Sequence, residues 1–255
     1  MIKKADFPIL EYDSKKKAII NPDLFAEKIG KVNCDKLIVT FFGEEIKRLL
    51  SVGEIEQIKF LPGETPNTVY KFVNDDVMIM QGIVGCPATC GQLEEVIALG
   101  AKKIVFCGGG GVLERDITVG KFFVVDGAIR DEGFSYHYCP PSRIIYTDEG
   151  VKNRIISFLT EQKIPFIQGI TWTTDAFYRE TEDMIKYRKE EGAKMVEMEQ
   201  AGCIAVCKFR NVKYGAILYA GDDVSGKEWD NRDWAQRYGI RSFLLKTCKD
   251  IVKQL

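Results

Sequence analysis

The sequence predicts a single three-layer α/β domain over residues 1–255, with a central mixed, largely parallel sheet flanked by helices. Three observations predict it. Short apolar runs alternate along the chain with segments of helical spacing. The apolar runs show little polar alternation, so their strands are buried on both faces and helices must cover the sheet. No repeat, low-complexity stretch or linker rich in Pro, Gly or Ser breaks the pattern, and α/β folds often reach this length as one domain.

The elements follow in order. Residues 37–42, Leu-Ile-Val-Thr-Phe-Phe, read as a buried strand, and residues 44–50 as a helix. Residues 77–81 are a second strand, and residues 92–99 a helix stopped by Gly100. Residues 103–107 form a third strand that runs into Gly108-Gly109-Gly110-Gly111, and residues 122–125 a fourth. Helices are expected at 151–162, 182–191, 199–209 and 233–253, and strands at 166–172, 194–198 and 212–220. Strand and helix alternating in this way give an α/β sheet, in which ligands bind where strands end and loops begin.

Composition narrows the function. Acidic and basic side chains nearly cancel, for a net charge of −1. That balance argues against broad attraction to nucleic acid or an anionic membrane, and leaves room for a local phosphate pocket. Eight cysteines are present, but the chain is too long and core-rich for a disulfide scaffold. Cys203 and Cys207 share one helix face and read as small buried hydrophobes. With a single histidine, His137, and no CxxC pair, no metal site is expected. Residues 1–6 lack the apolar stretch of a signal peptide, and no apolar run reaches the length of a membrane span. Free thiols and no export signal point to the cytoplasm.

Several segments carry candidate chemistry. The glycine run follows a strand, so its backbone can approach a ligand, or it is a tight structural turn. Leu113 and Glu114 break the GxGxxG dinucleotide pattern. Val196-Glu197-Met198-Glu199 ends an apolar strand and begins a helix. Glu199 either accepts hydrogen bonds from neighbouring sugar hydroxyls or is a first-turn acid favoured by the helix dipole. Asp222, after Tyr219-Ala220-Gly221, is a general acid or a turn aspartate. The loop Asp131–Tyr138 is polar and aromatic, and its His137 reads as structural.

Together these segments resemble the nucleoside phosphorylase family, which also contains nucleosidases. The resemblance runs from about Leu37 to the C-terminus. It rests on Gly85-Cys86-Pro87 leading into Leu93-Glu94-Glu95, Ala101-Lys102-Lys103 leading to the glycines and Leu113, and Ala128–Gly133. It continues through Thr174-Asp175-Ala176-Phe177-Tyr178, Val196–Glu199 and Gly221-Asp222-Asp223, all in family order. It implies one α/β domain assembled as a homodimer or homohexamer, and no cofactor beyond phosphate as co-substrate. Glu199, with Glu197 and Met198, would hold the ribose, Met198 packing under the sugar. Phe177 and Val196 would lie against the base. Asp222 would protonate or hydrogen-bond the leaving purine, acting on charge that develops in the transition state.

Departures from the family pattern matter as much. Thr181 and Asp183 stand where uridine-specific members carry a glutamine and an arginine, which favours a purine-like base. Phe106 and Gly109 stand at the usual phosphate-binding arginine and threonine, and Lys47 replaces a second arginine. Only Gly43, Lys47, Thr89 and the amides of Gly108 and Gly109 remain for phosphate. The expected activity is therefore phosphorolysis of a purine nucleoside to free base and ribose 1-phosphate. The alternatives are hydrolysis by water activated by Glu44 or Glu45, and a non-catalytic nucleoside sensor.

Overall fold

The computed structural model describes residues 2–255. After a first helix α1 (Pro22–Ile29), the chain alternates β1 (Lys36–Thr40), α2 (Gly43–Ser51), β2 (Ile55–Leu61), β3 (Asn67–Phe72), β4 (Met78–Gln81) and α3 (Cys86–Leu99). It continues through β5 (Lys103–Val112), β6 (Phe122–Asp131), β7 (Ile144–Tyr146), α4 (Glu149–Glu161), β8 (Phe166–Thr174) and α5 (Glu182–Glu190). The last elements are β9 (Ala193–Glu197), α6 (Gln200–Arg210), β10 (Lys213–Asp223) and α7 (Tyr238–Val252).

One sheet holds these strands in the order β10-β6-β8-β9-β5-β1-β4-β3-β2, and β10 also pairs with β5. That second pairing closes β5, β9, β8, β6 and β10 into a ring, with β1 to β4 extending from it. Successive side chains of the central strands go to opposite faces. Leu37, Val39, Ile104, Phe106, Ala216 and Leu218 join α1, α3 and α6 on one side. Ile38, Val105, Cys107, Ile217 and Tyr219 join α2, α4 and α7 on the other. This is the expected three-layer arrangement.

The sheet is mixed, with parallel pairings of β1 with β4 and β5, β5 with β10, β6 with β8 and β8 with β9. The β2/β3/β4 meander, β7 on β6, β9 on β5 and β6 on β10 are antiparallel. The strands β2 and β3 and helix α1 lie outside the sequence-based expectation. Ile55–Leu61 carries polar residues on its exposed face, at the sheet edge, so it lacks the continuous apolar run of the inner strands. The turn residues Pro62 to Pro66 between two β-rich stretches are the signal that would have found this hairpin.

The glycine run is the larger correction. It is neither a turn nor the start of a helix, but the second half of β5. Its bareness has a packing cause. A Cβ on Gly110 would lie 2.8 Å from the Val196 carbonyl oxygen, and one on Gly109 would lie 3.0 Å from the Tyr219 ring. Here β5 leaves β1 and takes up β9 while staying on β10. Pairing with β1 ends at Cys107 and pairing with β9 begins at Gly111. Gly108, Gly109 and Gly110 are therefore paired through β10 on one side only. This gap in the sheet is where the site is built.

Candidate active site

Two glutamates stand at the end of β9 and do different work. Glu197 points inward. Its Oε1 accepts from the Thr171 and Thr173 hydroxyls at 2.9 and 2.5 Å, and its Oε2 from the Glu199 and Gln200 amides at 2.6 and 2.7 Å. Burial pushes its carboxyl up, and these hydrogen bonds pull the other way. With both oxygens committed, Glu197 caps the start of α6 and joins it to β8. In this role it anchors the strand end to the helix.

Glu199 lies one residue before α6, with 7% of its surface exposed. Only the Gly85 amide donates to its Oε1, at 2.7 Å. Gly85 has φ of +95°, a conformation that glycine adopts without strain and that turns this N–H toward the carboxyl. No cation pairs with Glu199 among the described residues. Burial first, then the charge of Glu197, pushes its carboxyl up to about 8, against the pull of the Gly85 and Met198 amides. The charge of Asp175 adds to the rise. A buried carboxyl left this poorly compensated is a mark of a functional site. Met198 beside it is half-buried.

Asp222 is half-buried near the end of β10. Its Oδ2 accepts from the Trp229 indole N–H at 2.7 Å. Its Oδ1 lies 3.6 Å from where a Cβ on Gly111 would sit, and Val196 covers the same glycine. The neighbouring Asp223 is structural: Ser225 N–H donates to it at 2.8 Å and Arg232 pairs with it at 2.6 Å. Burial raises the Asp223 carboxyl, but these partners outweigh it and hold it below the ordinary value. Phe177 is half exposed and its ring lies 4.1 Å from that of Tyr178. Just beyond, Glu180 has its carboxyl pushed up to about 7, by burial and then by the charge of Asp222.

Glu180 and Trp229 were not singled out from the sequence, and Gly85 and Asp175 appeared there only as parts of motifs, with no role of their own. Asp175 accepts the Gly133 amide at 2.8 Å and so ties the loop after β6 to this site. Glu132 holds that loop by accepting the Phe134 and Ser135 amides at 2.6 and 2.8 Å. His137 is exposed on its outer turn. A separate surface hollow lined by Thr147, Asp148, Lys208 and Asn211 lies at the far end of α6 and contains none of these groups.

The residues expected to hold phosphate lie in different surroundings. Thr89, in the first turn of α3, is buried, and its hydroxyl is used on the loop before that helix, donating to the Ile83 carbonyl and accepting the Ile83 amide at 2.8 Å. Lys47 points into solvent. Gly108 is buried, and Gly109 lies against the Tyr219 ring. Gly43 does open α2, packed under the Gln81 side chain. Phe106 is buried, with its ring 5.5 Å from that of Phe41, so an apolar pair fills the place of the family arginine. Neither proposed water-activating acid is free. Glu44 pairs with Arg241 at 2.8 Å and buried Glu45 with Arg48 at 3.0 Å.

A poorly compensated buried carboxyl just past β9 and a half-buried aspartate near the end of β10 are joined by a sequence match over most of the chain. The phosphorylase superfamily model matches residues 35–248. The chain belongs to the phosphorylase superfamily. A guanosine phosphorylase of Halorubrum lacusprofundi is 25% identical over 203 residues, which cover 71% of this chain and 84% of that protein. The fold is shared with a purine nucleoside phosphorylase of Toxoplasma gondii solved with immucillin-H (TM-score 0.71, 20% identity, 87% of this chain and 93% of that one). It is shared equally with a 5′-methylthioadenosine/S-adenosyl homocysteine nucleosidase of Campylobacter jejuni (TM-score 0.71, 19% identity, 88% and 100%). Among the described residues, no helix of this superfamily member is long and apolar enough to cross a membrane.

Proposed function

We propose that this enzyme cleaves the N-glycosidic bond of a purine nucleoside, with phosphate attacking C1′ to give free base and ribose 1-phosphate. The carrying observation is Glu199, buried at the strand end with one short amide contact and, among the described residues, no counter-ion. Two vicinal ribose hydroxyls supply the donors that such a carboxylate lacks, and Met198 lies beside it to meet the sugar. Asp222, on β10 beside Gly111 with Val196 against the same glycine, would meet the leaving base, and Phe177 would lie against that base. As the bond breaks, negative charge gathers on the purine, and a group that donates to it stabilises the transition state more than the ground state. The guanosine phosphorylase relative and the absence of the uracil-reading pair at Thr181 and Asp183 support a purine. Assembly as a homodimer or homohexamer and a cytoplasmic setting belong to the same reading.

A second reading, hydrolysis, is favoured by the Phe41–Phe106 pair and the self-satisfied Thr89. An aromatic pair offers an anion no donor. The two readings separate when guanosine, inosine, adenosine, uridine and methylthioadenosine are each incubated with the protein, with and without phosphate, and free base is followed. Phosphorolysis requires purine release that depends on phosphate. Release indifferent to phosphate establishes hydrolysis, and tight nucleoside binding with no release establishes a sensor.

A further inference from the structure

We propose that Trp229 is a positioning residue for Asp222: its indole N–H fixes the carboxylate so that Oδ1 alone serves the leaving base. The inference rests on the purine-cleavage reading above. Trp229 is 62% exposed, so apolar packing does not explain where its ring lies. Its directed contact is the 2.7 Å bond to Asp222 Oδ2. An N–H···O bond of this length, from a rigid ring to one oxygen, sets where that oxygen lies.

The loop that carries Trp229 is built to deliver it. Asp223 and Asp230 exchange backbone hydrogen bonds at 2.8 and 3.0 Å, closing the segment between them. Arg232 pins that closure from below. It pairs with Asp223 at 2.6 Å and donates to the Ile117 carbonyl at 2.7 Å. The residues flanking the closure on its inner and outer sides, Asp222 and Trp229, then meet across it. A free aspartate rotates about χ2 and presents either oxygen. With Oδ2 held by the indole, the carboxyl plane is set and Oδ1 remains beside Gly111, where Val196 and Val224 also pack. A single fixed acceptor or donor atom is what a directed bond to one ring nitrogen of a purine needs.

Two measurements test this. In the first, Trp229→Phe and Asp222→Asn are made singly and together and assayed with guanosine and inosine. Trp229→Phe is expected to lower kcat about tenfold with KM within about twofold, because the base is still bound but its partner atom is no longer held. In the Asp222→Asn background the same change is expected to cost less than about twofold. A Trp229→Phe enzyme with wild-type kcat, or an equal loss in both backgrounds, overturns the assignment. The second needs no turnover. The chain has three tryptophans, and Trp229→Phe identifies the Trp229 indole N–H resonance by its loss. Asp222→Asn is expected to shift that resonance while leaving the other two in place, and an unmoved resonance overturns the assignment. Wild-type protein that releases no base from any purine nucleoside defeats the functional reading instead, and the resonance measurement still decides the Trp229–Asp222 bond.

Discussion

Replacing Glu199 by glutamine is expected to make the protein more stable and less active. The amide is nearly isosteric and its oxygen still accepts the Gly85 N–H that now lies at 2.7 Å. What it removes is ionisation. The carboxyl is raised from 4.5 to about 8 in the folded chain. At 1.36 kcal/mol for each pH unit, ionising it there is about 5 kcal/mol harder than in the unfolded chain. The folded state binds this proton more tightly, so stability falls as pH rises from the unfolded value to the folded one and is flat above it. Between about pH 6 and pH 9 wild-type protein therefore loses about 3 kcal/mol from this group alone, and the glutamine variant loses none of it. Urea titrations of both proteins at the two pH values measure the difference directly. A gap between variant and wild type that is the same at both pH values refutes the burial argument. Undiminished kcat/KM for a purine nucleoside in the same variant refutes the ribose role, because an amide cannot accept from two hydroxyls as a carboxylate does. Greater stability with lost turnover is the pattern of a residue kept for function.

Other predictions separate the remaining roles. Glu180→Gln removes a carboxyl pushed up to about 7 by burial and by the charge of Asp222, so a limb near that pH in the kcat/KM profile is expected to vanish; a limb that stays belongs to another group. Glu197→Ala strands two threonine hydroxyls and two helix amides, and is expected to destabilise the fold by about 3 kcal/mol or more in chemical denaturation. A loss below about 1 kcal/mol would show that these donors find other partners. Gly110→Ala drives a methyl against the Val196 carbonyl and is expected to lower Tm and weaken nucleoside binding together. Gly91→Ala meets nothing within 4 Å inside α3, so it is expected to gain about 0.5 to 1 kcal/mol, and a loss there would point to unseen crowding.

Much of the fold was legible because its cause is local or periodic. Apolar runs such as residues 37–42 and 103–107 have few ways to be buried except as inner strands, and the helices between them follow from spacing. The ordered motifs likewise drew attention to β9, β10 and the loop after β8 as candidates for the chemistry. Within those motifs, residue type alone did not separate function from structure. Glu197 and Glu199 are two residues apart and chemically alike. Only the partners brought by β8 and α3 show that one is fully bonded and the other is not, and those partners are distant in sequence. The glycine run shows the same division. Composition announced a close backbone approach, but the ring closure of β5 on β9 and β10 decided that strand packing, rather than a turn, required it. For Glu199, chain order named the residue. The low-dielectric surroundings that raise its carboxyl, and the absence of a counter-ion there, exist only once the chain is folded.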